Sequence, residues 1–365
     1  MNELKYMIWL THVYGTNVQY IDNLLNTFGS AEGVYNAVGE LLKKENIIPQ
    51  TILSKLIALK RTLNPDELLG DMQRKGIRYI PKDSNEYPPL LRSIDSPPYG
   101  LYILGEMPSF DKLWVSVVGT RRPTDYGKTA TKKLVKELSE KGVIVVSGMA
   151  DGIDGVTNQA ALEGGSPTVA VFGNGVDICY PSAHEKLYEK IQQNGCIISE
   201  FPPGTSPEKW HFPWRNRIIS GLSQAIIITE AEIKSGTSTT VNYALEQGRE
   251  VMAVPGNITS KRSEGTNKLI KEGAHVATCV MDVLDALGVI ESENLNNINE
   301  EIHNILDIPL ASNEKTVYSL LGDGQLGLDD IIKRTGLLPR EVMVVLTKLM
   351  LSGRIRELPG QKYII

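Results

Sequence analysis

From Trp114 onward the chain repeats one pattern: a short apolar run, a glycine-rich turn and a helix-length segment. The apolar runs cover residues 114–118, 143–147, 168–172, 196–199, 224–229 and 250–254. Runs that are apolar at every position are typical of strands buried on both faces. Because such strands alternate with helices, the sequence predicts an α/β fold: a Rossmann-like, doubly wound domain with a parallel sheet, over residues 113–288.

The segments before this domain have other compositions. Residues 1–75 carry apolar residues at spacings of three and four, which predicts a small helical domain of the SAM or helix-hairpin-helix type. Such a bundle either binds a DNA backbone or only mediates contacts between parts of a protein or between proteins. The sequence does not decide between these two roles. Residues 76–112 contain six prolines, which exclude long helices and predict an extended connector packed on the next domain.

The end of the chain predicts a linker and a third domain. Residues 289–312 are rich in Asn and Glu, as linkers are. Residues 313–365 suggest three helices and a hairpin with Pro359 and Gly360 at its tip, which predicts a winged helix. Its third helix, LPREVMVVLTKLM, has few of the side chains that read DNA bases. Contact with duplex DNA, with a protein partner or with the chain's own sheet remains open.

The composition limits the kinds of partner. The net charge is −5 and the pI is about 5.7, so any nucleic-acid site must be a local basic patch. Three scattered cysteines do not suggest a disulfide framework and fit a reducing compartment. Neither a signal-peptide pattern nor an 18-residue apolar run is recognised. We therefore expect a cytoplasmic protein without a membrane span.

Glycine-rich turns follow the predicted strands. They contain the residues Gly119, Thr120, Arg121, Ser147, Gly148, Gly236 and Thr237. In an open parallel sheet, ligands bind outside the carboxyl ends of the strands. Glycine lets backbone N–H groups approach an anion, and helix N-termini favour negative charge. We therefore expect these turns to form a phosphate pocket.

The segment Lys209–Leu222, KWHFPWRNRIISGL, combines aromatic and basic residues. We interpret it as a surface loop followed by an apolar run. Aromatic rings beside cationic groups suit a stacked base and its phosphate, with Phe212, and also Trp210, as candidates for stacking. Alternatively, the rings fill a domain edge while the arginines pair with acids. The segment alone does not decide between the two.

The sequence offers no pattern for a cofactor or a catalytic centre. The turn after the first strand is GTRRPT, which is not the G-x-G-x-x-G of dinucleotide binding, and a P-loop is also lacking. The five histidines are isolated, so no metal site is expected, and no nucleophile elbow occurs. Asp151 and Asp154 are expected to cap a helix rather than act in catalysis.

Five motifs, taken in order, resemble the DNA-processing protein DprA (Smf) family. They are SGMADGIDGVTNQAALEGG, AVFGNGVDICYP, GCIISEFPPGTSP, FPWRNRIISGLS and ALEQGREVMAVPG. The resemblance implies a protein that is not an enzyme. It implies binding of single-stranded DNA, a homodimer, protection of incoming DNA and loading of the RecA recombinase during natural transformation.

The resemblance also implies roles for particular residues. The DNA-binding residues that carry over are Arg121, Lys209, Phe212, Asn216 and Arg217. The expected dimer interface lies near Asn267, Leu269 and Ile270. Backbone amides of the Gly119, Gly148 and Gly236 turns are expected to hold phosphates.

The chain departs from the family pattern at three places. Thr120 replaces a serine, Thr157-Asn158 replaces Ala-His, and SGTSTTV replaces a segment that usually continues with LITA. We expect the last two changes to alter the rim of the pocket. An alternative function is nucleotide hydrolysis, because the sheet is distantly similar to LOG phosphoribohydrolases, but Thr240 stands where their catalytic glutamate would lie. A nucleotide-sensing adaptor is a further alternative.

Overall fold

The computed structural model describes residues 2–14, 18–38, 49–233, 235–289, 311–322, 324–351, 354–358 and 362–365. The chain divides into two compact units, Met1–Leu287 and Gly288–Ile365. Within the described ranges, no helix is long and apolar enough to cross a membrane.

The first unit is built on a sheet of nine described strands. They are β1 (Ile77–Pro81), β2 (Gly100–Gly105), β3 (Trp114–Val118), β4 (Ile144–Ser147), β5 (Thr168–Val171), β6 (Gly195–Ser199), β7 (Ala225–Ile228), β8 (Glu250–Ala253) and β9 (His275–Val276). Their order is β1-β2-β6-β5-β4-β3-β7-β8-β9. The strands from β3 to β9 are parallel, whereas β1 and β2 pair antiparallel. This architecture confirms the predicted α/β class, and the six predicted strands agree with β3 to β8 to within about a residue at each end.

Helices cover both faces of the sheet. After β2 they are α7 (Asp125–Glu140), α8 (Ile153–Gly164), α9 (Glu185–Gln193), α10 (His211–Gly221), α11 (Thr237–Glu246), α12 (Glu264–Lys271) and α13 (Val280–Ala286). Alternate residues of β3 enter different cores. Val115 and Val117 pack with α7, α8 and α13, whereas Trp114 and Val118 belong to the cluster that includes α10 and α11. Burial on both faces explains why the strands are apolar throughout.

The proline-rich segment 76–112 is part of the sheet. It forms β1, the short α6 (Pro89–Arg92) and β2, which pairs with β6. The sequence predicted an extended connector packed on the next domain, because its prolines exclude long helices. The prolines fall where their missing N–H groups cost little: Pro81 ends the edge strand β1, and Pro89 begins α6.

Five described helices precede the sheet. They are α1 (Asn2–Tyr14), α2 (Val18–Phe28), α3 (Ala31–Ala37), α4 (Gln50–Thr62) and α5 (Pro65–Arg74). Ser30 caps α3, because its hydroxyl accepts a 2.9 Å hydrogen bond from the Gly33 amide. Thr11 of α1 lies 2.7 Å from the Tyr102 hydroxyl in β2, so these helices are tied to the edge of the sheet.

The second unit is a winged helix, as predicted. It comprises α14 (Ser312–Leu321), β10 (Leu326–Gly327), α15 (Leu328–Thr335), α16 (Pro339–Leu351), β11 (Arg356–Leu358) and β12 (Lys362–Ile364). β11 and β12 form the expected hairpin, and β10 adds an unpredicted third strand. The predicted hairpin tip at Pro359-Gly360 lies outside the described residues, as does nearly all of the predicted linker 289–312. Val342, Leu346 and Leu349 of α16 are buried, which agrees with the apolar sequence of this helix.

We predict that Ile227→Ala destabilises the first unit by about 2–5 kcal/mol, because Ile227 is fully buried in the central strand β7 and its loss leaves a cavity. All four tryptophans lie between residues 9 and 214, so tryptophan fluorescence during urea unfolding reports on this unit alone. Ile258 is 89% exposed, and Ile258→Ala is the control, with an effect within about 0.5 kcal/mol. Equal effects of the two substitutions would contradict this placement.

Candidate functional site

A cleft of about 700 Å³ lies at the carboxyl edge of the sheet. Strands β3 and β7 are neighbours there, but the chain continues from them to opposite sides, to β4 and to β8. This reversal of strand order is where doubly wound sheets bind ligands. The cleft is lined by residues that follow β3, β4, β5, β6, β7 and β8.

The structure brings most of the predicted site residues into this cleft. Those that line it are Gly119, Thr120, Arg121, Lys209, Phe212, Asn216, Gly236 and Thr237. They come from three separate parts of the chain, and the sheet topology alone places them together. Ser147, Gly148 and Arg217 do not line the cleft.

An aromatic and cationic stack forms one wall of the cleft. The Tyr180 and Phe212 rings have centroids 5.5 Å apart at an interplanar angle of 31°. The guanidinium carbon of Arg121 lies 5.2 Å from the Phe212 centroid. Tyr180 is 42% exposed, which leaves ring surface available to a ligand. Sequence reasoning missed Tyr180, because a single tyrosine in a loop has no periodic or motif signal of its own.

The exposed cations of the cleft lack acidic partners. Arg121, Arg122 and Lys209 are exposed, and among the described residues none of them lies within 4.0 Å of a carboxylate. Arg262 does face an acid, since its Nε lies 3.6 Å from Glu232. An acidic chain therefore has locally uncompensated positive charge here, which attracts anions.

A buried arginine and a buried aspartate lie at the floor of the cleft. Arg215, 3% exposed, donates to the backbone carbonyls of Gly148, at 3.2 Å, and Val171. Asp154 is 8% exposed, and burial raises its pKa to about 6, although Arg215 and Arg121 act in the opposite direction. A Cβ atom at Gly148 would lie 2.5 Å from the Arg215 guanidinium and 2.6 Å from the Asp154 carboxyl. Gly148 is therefore needed for packing.

The aspartates of this turn do not have the expected capping role. α8 begins at Ile153, and its N-cap position is occupied by Gly152, at φ +82°. Asp154 lies in the first turn of the helix and faces the cleft. The protonation state of Asp154 therefore affects the charge of the cleft, which the sequence analysis did not predict.

The segment Lys209–Leu222 is mainly helical, so the loop interpretation was wrong. α10 runs from His211 to Gly221. Pro213 is compatible with the helix because it is the third residue of α10, where a backbone N–H would have no partner within the helix. Trp210, just before the helix, is 55% exposed, contacts His211 and Phe201, and lies outside the cleft.

Arg217 is a buried ion-pair partner. It is 2% exposed, and its two terminal nitrogens donate to the Glu200 carboxylate at 2.8 and 2.7 Å. The guanidinium also lies 4.3 Å from the Trp214 ring. Ser147 is likewise buried and donates a 2.7 Å hydrogen bond to the Val117 carbonyl. For Arg217, the geometry matches the alternative in which arginines of this segment pair with acids.

The three glycine turns differ in what they offer to an anion. In the first, the Thr120 amide already donates to the Glu230 carbonyl at 2.8 Å. In the second, the backbone N–H of Gly148 interacts with the Asp154 carboxyl. Gly236, at the start of α11, is exposed, and no atom of the described residues lies within 4 Å of where its Cβ would be. The N-terminus of α11 therefore adds a partial positive charge to the cleft.

The departures from the family pattern lie in different environments. Thr157 and Asn158 are fully buried in α8, and the Asn158 side-chain amide donates to Thr168 at 2.9 Å. The expectation that they alter the pocket rim was therefore wrong. Thr237 and Thr240 do line the cleft. Within the described part of the chain, no group of three His, Cys, Asp or Glu side chains is arranged to hold a metal.

The fold and the cleft define a class: doubly wound α/β proteins with a positively charged cleft at the strand switch point, in a chain that also contains a winged helix. The family model of DNA recombination-mediator protein A matches residues 78–288, and that of the DprA winged helix domain matches residues 306–361. The chain therefore belongs to the DNA recombination-mediator protein A family, also called DprA or Smf, whose members are DNA-processing proteins.

Individual relatives agree with this assignment. Protein Smf of Synechocystis sp. is 31% identical over 99% of this chain and 98% of its own. The structure of DNA processing protein A from Streptococcus pneumoniae matches with a TM-score of 0.66 at 31% identity, over 77% of this chain and 97% of that one. The protein from Helicobacter pylori, described as having a single-stranded DNA binding mode, matches with a TM-score of 0.53 at 31% identity, over 58% of this chain and 95% of that one.

We predict that Arg217→Ala destabilises the first unit by about 3–5 kcal/mol, because Glu200 would remain buried without its partner. The double variant Arg217→Met with Glu200→Leu should recover most of this loss, since no buried charge remains. Urea unfolding followed by tryptophan fluorescence measures both. Unchanged stability of Arg217→Ala, together with weakened ligand binding, would instead assign Arg217 to the binding site.

We predict that Asp154→Asn gains stability over the wild type as pH rises. The folded-state pKa of Asp154 is about 6, above the ordinary value of 3.8, so its favourable contribution is complete below about pH 4 and is lost as pH rises through 6. Asparagine does not titrate. The relative stability of Asp154→Asn should therefore increase by up to about 3 kcal/mol between pH 4 and 7. Parallel urea-unfolding profiles of the two proteins across this range would contradict the raised pKa.

Proposed function

We propose that this protein binds single-stranded DNA in the cleft and acts in the cytoplasm in natural transformation, where it protects incoming DNA and loads the RecA recombinase. The stack of Tyr180, Phe212 and Arg121 beside unpaired cations is the observation that carries the proposal. Rings next to cations suit the bases and phosphates of an unpaired strand. The description of the Helicobacter pylori relative supports the same ligand.

Each group of the cleft has a distinct part in this binding. Arg121, Lys209 and the N-terminus of α11 hold phosphates, the first two with full charges. Phe212 and Tyr180 stack on bases, each stacked base contributing about 1–3 kcal/mol with little sequence preference. Asn216 lines the cleft one helical turn after Phe212 and offers both a donor and an acceptor to a base. The protein is therefore expected to recognise unpaired DNA with little dependence on its base sequence.

Binding without hydrolysis follows from the groups at the catalytic position of the LOG-like alternative. Thr240 occupies that position, lines the cleft and is 2% exposed. A hydroxyl without a neighbouring base does not serve as a general acid or base near neutral pH. We therefore propose a binding protein rather than a nucleotide hydrolase.

A homodimer would place two clefts on one strand. The second binding event then becomes intramolecular, which raises the overall affinity through effective concentration. For the interface we propose the surface around Leu269, where Ile233 and Leu245 are 50% and 62% exposed. Asn267 has a different geometry, because its side chain holds the backbone of Gly256 at 3.1 and 3.0 Å. We propose that it shapes the loop beside Ile270 and the interface.

The experiment is fluorescence anisotropy with a labelled oligo-dT of about 30 nucleotides, titrated over a salt series, against a duplex of equal length. We expect a preference for the single strand. Phe212→Ala should weaken binding about ten- to hundredfold, because a stacked base is lost. Arg121→Ala should reduce the salt slope by about 0.7, one phosphate contact on a single strand.

Trp210→Ala is the matched control, because Trp210 is exposed in the same segment but lies outside the cleft. It should bind like the wild type. Equal affinity for duplex and single strand, or equal losses in Trp210→Ala and Phe212→Ala, would contradict the proposed site.

A further inference from the structure

A second concave surface shares the Arg121–Arg122 turn with the cleft. It has a volume of about 790 Å³ and lies between α7, α8 and the start of α9. We call it the α7–α8 groove. Its positively charged lining residues are Arg121, Arg122, Lys128, Lys132 and Lys186.

The groove is basic in a protein whose net charge is −5. Among the described residues that line the groove, Glu163 is the one acid, and it pairs with Lys132 at 2.9 Å. Lys128 lies 3.3 Å from Asp125, a fully exposed carboxylate. In the described part of the chain, neither Arg122 nor Lys186 has an acid within 4.0 Å. The groove therefore keeps an excess of positive charge.

Bare backbone forms part of the groove floor. A Cβ atom at Gly152 would lie 2.4 Å from the Thr120 carbonyl oxygen, and one at Gly155 would lie 2.6 Å from the His184 ring. Gly152 also has φ +82°, which side chains rarely tolerate. Packing requires glycine at both positions, and backbone conformation also requires it at Gly152.

The position of the two arginines sets the path of a bound strand. Arg121 and Arg122 line both the cleft and the α7–α8 groove. A DNA strand whose bases stack in the cleft can therefore continue past these arginines into the groove, and its phosphates stay next to positively charged side chains along the whole path. A mononucleotide or very short oligomer, in contrast, would be held by the cleft alone.

We propose that the α7–α8 groove binds the phosphates of the same single strand where it leaves the cleft, so that the two surfaces form one continuous track. This proposal rests on the proposed single-strand function and adds a second contact region to it. The contacts are with the backbone, so the track does not depend on base sequence.

The test compares two triple variants of the full chain that each lose three positive charges from α7 and α9. The groove variant is Lys128→Gln, Lys132→Gln and Lys186→Gln. The control is Lys133→Gln, Lys136→Gln and Lys190→Gln, whose lysines are exposed on the same helices but do not line the groove. Each set also removes one lysine that pairs with a glutamate. Anisotropy is measured with oligo-dT of about 6 and about 30 nucleotides, two lengths meant to fill one site and to extend beyond it.

For the longer strand, we expect the groove variant to bind at least about tenfold more weakly than the control, with a salt slope reduced by about 2, because about three phosphate contacts are lost. For the shorter strand, the two variants should bind alike. Equal binding of the longer strand by both variants would overturn the proposal. An equal loss for both strand lengths would also overturn it, because the lysines would then act only through a general field.

Failure of the underlying function gives a different result. If the wild type binds neither oligomer, or if Phe212→Ala and Arg121→Ala bind both like the wild type, the cleft itself is not the single-strand site and the track is excluded with it. If Phe212→Ala and Arg121→Ala weaken binding as expected, but the groove variant binds the longer strand like the control, only the α7–α8 groove is excluded.

Discussion

The buried guanidinium of Arg215 fixes the geometry on which the site depends. It binds the carbonyls of Gly148 and Val171, which lie at the carboxyl ends of β4 and β5, and so connects α10 to the sheet. A charge that is 3% exposed is costly unless it is paired and hydrogen-bonded. The two carbonyls accept its hydrogen bonds, and the nearby Asp154 carboxylate attracts it electrostatically. Both interactions require α10 to lie against the strand ends.

This attachment gives α10 two different faces. Arg217 turns inward to Glu200 and stabilises the domain. Phe212 and Asn216 line the cleft, and their spacing of four places them on one side of a helix. One short segment therefore supplies both an internal ion pair and part of the cleft lining.

The sequence predicted the parallel core well because two-sided burial leaves a direct trace, an unbroken apolar run ended by glycine. It predicted less well where several physical effects give the same residue pattern. The prolines of segment 76–112 excluded long helices, but a proline at a strand end looks in sequence like one in an irregular connector, so β1 and β2 were not predicted. Likewise, Arg121 and Arg217 are both arginines in family motifs, and only the fold shows that Glu200 neutralises one of them. The position of Tyr180 in the cleft could not be predicted from the sequence, because it results from the tertiary contact of its ring with Phe212.

The central claim is that a strand stacks on the aromatic wall of the cleft, and photocrosslinking tests it most directly. An oligo-dT carrying one 5-iodouracil is irradiated with the full-length protein, and the modified peptides are identified by mass spectrometry. Stacking brings the reactive base into contact with an aromatic ring, so the account predicts adducts at Tyr180 or Phe212. Adducts confined to the winged helix, in α16, would contradict it and place the DNA contact in the second unit.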